Sequence, residues 1–245
     1  MPKRVLFVTG WFFSPAVTEE IPAGRVAISE MRKFAPEIEV FHWPCINGGP
    51  DKPPTFQGAV DALRERLTEG CHVVVSGGDV AVALTAMKDG PPVSSLVSTG
   101  FRPSPGTLRA LGMGALADAT SALYRVDRSQ LFVRLLMLDA QDSVIQQWSD
   151  RLDNDINWPY AVQFRLDYEQ IDLTRMGLKV DVPTLFLEPA IPVAGYADTK
   201  PIFERFVPNI ESAGVSWPSH LHEESCGREF AQAVVPFLQK HDPGG

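Results

Sequence analysis

The chain reads as a doubly wound α/β protein on a mainly parallel sheet, and three observations predict this. Short runs that are apolar throughout, such as Arg4–Val8 (RVLFV), suit central parallel strands covered by helices on both faces. They alternate with stretches whose apolar residues recur at helical spacing. At 73–86 the run VVVSGGDVAVALTA joins a buried strand to a small-residue helix through a glycine-tight turn.

Each element has its own signal. After the first strand, Val26, Ile28, Met31 and Phe34 mark a helix closed by Pro36, and 38–43 (IEVFHW) is the second strand. The Pro- and Gly-rich stretch 44–54 is a loop. A helix over 59–69 places Val60, Leu63 and Leu67 on one face, with Gly70 as its stop. Strand 72–75, helix 79–88 and strand 93–98 follow. Further on come strand 183–188 (PTLFLE), a helix over 202–207 and a short strand at 214–217. The closing helix carries Phe230, Val234 and Phe237, and Pro236 is expected to kink it. Residues 102–180 break the alternation with helical patterns, for example at 130–138 and 160–166. The expected organisation is a core of 1–101 and 181–245 with 102–180 inserted as a helical unit.

Composition narrows the function. The 245 residues are 44% hydrophobic and 21% charged, with a net charge of −8. The acidic balance leaves no basic stripe to neutralise phosphates, which argues against nucleic-acid and anionic-membrane partners. Cys45, Cys71 and Cys226 are odd in number and lack C-x-x-C spacing, so neither a disulfide framework nor a zinc site is expected. The apolar N-terminal run is too short for a leader and has no small-residue cleavage site. A cytoplasmic protein without a cofactor is expected, and homodimerisation is left open.

Four motifs together resemble the α/β-hydrolase superfamily and span most of the chain. VVVSGGDVAVALTA resembles its strand–nucleophile–helix turn. VTGWFFSP (8–15) resembles the loop whose backbone N–H groups form half of an oxyanion hole, with Thr9 where histidine is usual. VDVPTLFLE (180–188) resembles the strand leading to the acid turn. VPNIESAGVSWPSHLHEE (207–224) resembles the end that carries the catalytic histidine, which falls on His220. The resemblance implies an α/β-hydrolase fold with 102–180 as a helical cap over the site.

The same alignment shows departures. Without gaps, the nucleophile position holds Gly78; slipped by one residue, it holds Asp79. The acid position holds Ala190. A chain lacking both serine and acid is not an esterase on fold alone. The catalytic candidates are therefore His220, Asp79 and Ser76. Asp79 reads equally as a nucleophile, a base or a helix cap. Ser76 reads as a displaced nucleophile or as a small residue for close packing. Glu188 is a replacement acid or a solvent-facing carboxylate. Gly10, Trp11, Phe12, Gly77, Gly78 and Phe101 are the oxyanion and substrate-binding candidates, although the aromatic run 11–13 also reads as core. The expected partner is a hydrophobic, carbonyl-containing small molecule. Acid/base chemistry without a covalent intermediate is the expected reaction: elimination, cyclisation, isomerisation or C–C cleavage. The alternatives are a hydrolase with an Asp79 or Ser76 nucleophile and a non-catalytic binder.

Overall fold

The computed structural model describes residues 4–8, 15–41, 55–124, 133–134, 137, 140–189, 199–216 and 222–243. Six strands form one sheet: β1 (Arg4–Val8), β2 (Glu37–Phe41), β3 (His72–Ser76), β4 (Ser95–Thr99), β5 (Thr184–Pro189) and β6 (Ile210–Val215). Their order is β2-β1-β3-β4-β5-β6, and every neighbouring pair is parallel. The described α-helices include α1 (Pro15–Glu20), α2 (Pro22–Phe34), α3 (Phe56–Arg64), α4 (Asp79–Lys88), α5 (Pro105–Ala110), α6 (Gly114–Tyr124), α7 (Asp142–Asp155), α8 (Trp158–Glu169), α9 (Lys200–Phe203) and α10 (Glu224–Lys240), and a 3-10 turn spans Leu173–Arg175. The doubly wound parallel sheet expected from the sequence is therefore present.

The apolar strands lie where their composition demands. Val5, Leu6, Val73, Val74, Val75, Leu96 and Val97 are all at or below 1% exposure, because helices cover both faces of the central strands. Helix α4 is buried from Asp79 to Met87, which explains why its small apolar residues show no one-sided pattern. Helices α2 and α10 pack closely: a Cβ at Gly227 would lie 2.1 Å from the carbonyl oxygen of Ala23. Arg25 and Glu224 pair across the same contact. The ring of Phe230 reaches the sheet, 6.4 Å from that of Phe7. Helix α10 runs on through Pro236 as one element. Near its end Lys240 reaches back to Glu211 on β6 and holds that carboxyl below its ordinary pKa.

Several boundaries differ from the sequence expectation. Helix α3 begins at Phe56, capped by Thr55, whose hydroxyl accepts from the Gly58 N–H at 3.0 Å, and it ends at Arg64 rather than 69. Leu67 is still buried, but from the segment beyond the turn that ends the helix. Gly70 (φ +76°) serves the approach to β3, where its N–H meets the Pro92 carbonyl at 2.9 Å, and does not stop the helix. Helix α9 closes at Phe203, short of 207. Strand β6 starts at Ile210, four residues before the expected 214. As an edge strand it keeps Glu211, Ser212 and Gly214 exposed, so it lacks the apolar run that betrays a central strand.

At the amino edge, the buried His72 ring has Nδ1 2.8 Å from Ser95 Oγ and Nε2 4.0 Å from an Asp242 carboxylate oxygen. Cys71 and Cys226 are buried free thiols, and Cys45 lies outside the described residues. No described helix is long and apolar enough to cross a membrane. Among the described residues no cluster of His, Cys, Asp and Glu could hold a metal ion.

Candidate functional site

The sheet reverses its winding at β1. From β1 the chain steps outward to β2 on one side and returns to β3 on the other. Such a reversal opens a crevice at the carboxyl ends of the two strands, where open α/β sheets bind ligands. Val8 pairs with Val75, so the connections after β1 and β3 leave the sheet side by side.

The β3–α4 connection is a two-residue turn. Ser76 still pairs with Thr99 as the last residue of β3 and is half-buried. Gly77 follows at φ +61°, a left-handed backbone that any L side chain would strain by about 1–2 kcal/mol. Gly78 is helical (φ −71°, ψ −24°) and precedes the first residue of α4, Asp79. Gly77 therefore holds the left-handed position of this turn, at no steric cost. Asp79 is fully buried in the first turn of α4, where the helix dipole favours a negative charge.

The exit of β4 grips this turn from the side. The Gly77 N–H donates to the Thr99 carbonyl at 3.3 Å, and the Gly77 carbonyl accepts from the Arg102 N–H at 3.2 Å. Ser98 Oγ donates to the Gly100 carbonyl at 2.8 Å, fixing the bend between them. Phe101 turns inward and is fully buried, its ring centroid 5.5 Å from Phe203 and 6.3 Å from Phe206. Its ring thus belongs to an aromatic core cluster.

Strand β6 ends at Val215 at the same sheet edge, and α10 begins at Glu224. Ser216 is anchored just past β6: its N–H donates to Glu229 at 3.2 Å, and its hydroxyl donates to the same carboxylate. His222 lies 3.8 Å from Glu223, just before α10. His220, Gly10, Trp11, Phe12 and Ala190 lie outside the described residues. Glu188 is exposed at the end of β5, with Lys200 at 3.5 Å.

Arg102 and Tyr168 belong to this neighbourhood and carried no sequence signal of their own. The Tyr168 hydroxyl donates to the Arg102 carbonyl at 2.8 Å. Only the position of Arg102, just past a strand's carboxyl end, could have marked it.

These features define an α/β-hydrolase fold, with glycine at the left-handed position of the β3–α4 turn. Among solved structures, the chain is similar to a hydrolase from Oleispira antarctica, with TM-score 0.72 and 13% identity over 97% of this chain and 91% of that one. An esterase from Exiguobacterium antarcticum is similar at TM-score 0.70 and 15% identity, over 97% and 92% of the two chains. An epoxide hydrolase from Bacillus megaterium is similar at TM-score 0.65 and 14% identity, over 97% and 93%. No family model and no curated protein matches the sequence.

Proposed function

We propose that the protein catalyses proton-transfer chemistry on a hydrophobic carbonyl compound, without a covalent intermediate, at the carboxyl edge of β1 and β3. The observation that carries this reading is the glycine at the strained tip: Gly77 has no group with which to attack. The peptide N–H after the tip, on Gly78, is the donor such folds offer to a developing oxyanion. In this reading the loop of Gly10, Trp11 and Phe12 supplies the second donor and an apolar wall. His220 moves the proton, and Asp79 supplies negative charge behind the turn. The helices between β4 and β5 act as a cap that keeps water out. Similarity to an esterase and an epoxide hydrolase supports the scaffold. The position of Asp79 inside α4, one residue beyond Gly78, weighs against an aspartate nucleophile.

The test uses 4-phenyl-2-butanone in deuterated buffer, with loss of its α-protons followed by proton NMR. The full chain is expected to exchange them faster than buffer. His220→Ala is expected to lower that rate by about 10²–10⁴-fold, the usual contribution of a positioned acid or base. A fluorophosphonate probe is expected to leave Ser76 unlabelled. Ser76 labelling, or an ester trapped on Asp79, would replace this reading with a nucleophilic hydrolase. Binding of the ketone with no exchange would replace it with a binder.

A further inference from the structure

The turn at Gly77 depends on a residue far from it in sequence. In a planar trans peptide the carbonyl of one residue and the N–H of the next point in opposite directions. Whatever holds the Gly77 carbonyl therefore also aims the Gly78 N–H. A peptide flanked by two glycines has little steric resistance to rotation, so its direction must be set from outside. The Arg102 N–H does so at 3.2 Å, and the carbonyl of Arg102 is in turn held by the Tyr168 hydroxyl at 2.8 Å.

Tyr168 is itself rigidly seated. It is fully buried, stacked on Phe56 (centroids 5.7 Å, planes at 26°) and parallel to Phe164 at 6.5 Å. The neighbouring Asp167 carboxylate accepts the Phe56 N–H at 2.6 Å, fastening α8 to the start of α3. A hydrogen-bonded line thus runs from α8 through Arg102 to the tip.

We infer that Tyr168 is a positioning residue that locks the Gly77–Gly78 peptide, so that the Gly78 N–H keeps one direction toward the crevice. Its consequence for catalysis rests on the reading proposed above; its effect on the peptide does not. Tyr168→Phe keeps the ring and removes only the hydroxyl. In the full chain the Arg102 N–H keeps its bond to the Gly77 carbonyl, but the segment loses the support at its Arg102 carbonyl. Arg102 amide exchange read by NMR is expected to speed up about tenfold, the factor one lost hydrogen bond gives to local opening. The Gly78 amide resonance is expected to shift, while the β4 amides of Leu96 and Val97 keep their rates.

Asp167→Ala removes the α8–α3 fastening but spares the hydroxyl, and it is expected to leave Arg102 exchange within about twofold of the parent, since that bond stays intact. Unchanged Arg102 exchange in Tyr168→Phe, or equal acceleration in Asp167→Ala, would overturn the inference. With the ketone, Tyr168→Phe is expected to lower kcat by roughly three- to tenfold at constant KM, a transition-state loss of one donor's alignment. A rise in KM with kcat preserved would overturn the positioning role. A parent chain that exchanges no ketone protons overturns the proposed function alone, and the amide measurement still decides this inference.

Discussion

Phe101→Ala is expected to destabilise the folded chain by about 3–5 kcal/mol, the range for deleting a phenylalanine from a packed core. The ring is fully buried and shares a cluster with Phe203 and Phe206, and Phe203 continues it to Phe186 on β5 at 5.2 Å. Removing it leaves a cavity between the β4 exit and the turn before β6, where neither backbone can close in freely. In a chain of this length the melting temperature is expected to fall by roughly 6–20 °C. Calorimetry of the purified variant checks this. Sequence reasoning grouped Phe101 with the substrate-binding residues. A variant that melts within a degree of the parent but loses ketone affinity would restore that role and refute the core one.

The second large effect is expected at the α2–α10 contact. Gly→Ala inside a helix ordinarily stabilises by about 0.5–1 kcal/mol, because alanine leaves the unfolded chain less conformational freedom to lose on folding. Gly227 reverses that sign. Its new Cβ would fall 2.1 Å from the Ala23 carbonyl oxygen and 2.9 Å from Ala23 Cα, distances no Cβ tolerates. Both atoms are backbone, so the helices must separate, and a loss of about 1–3 kcal/mol or more is expected. Gly114→Ala is the matched control: at the start of α6 nothing lies within 4 Å of the added carbon. Urea unfolding is expected to show Gly227→Ala well below the parent and Gly114→Ala equal to it or above. If both variants move together, helix propensity rather than contact governs the site.

The sequence was most legible where burial leaves no choice. Strand β1, helix α2 and the β3–α4 unit fall where apolar runs and helical spacing place them. It was least legible where a residue is buried by something other than its own element. Leu67 continues the spacing of Val60 and Leu63 yet leaves the helix before it. Strand β6 sits at the edge and presents polar side chains, so only its last residues looked like a strand. At the site, the motif admitted Gly78 or Asp79 as the tip, and backbone geometry puts the left-handed residue at Gly77 instead. A dihedral angle is not written in composition. The link from Tyr168 to Arg102 spans 66 residues and connects a phenol to a carbonyl that every residue possesses, so no motif could announce it.

The glycine at the tip also bears on the evolutionary reach of this scaffold. Glycine and serine codons can differ by a single base, and a serine placed at 77 would bring a hydroxyl to the position from which related folds attack esters. The penalty is the left-handed backbone, about 1–2 kcal/mol for an L side chain. That is a fraction of the 5–15 kcal/mol by which domains usually hold together. Under the function proposed above, a hydroxyl at this turn would thus cost one tolerable substitution, while the acid position would still hold Ala190 and need a carboxylate of its own.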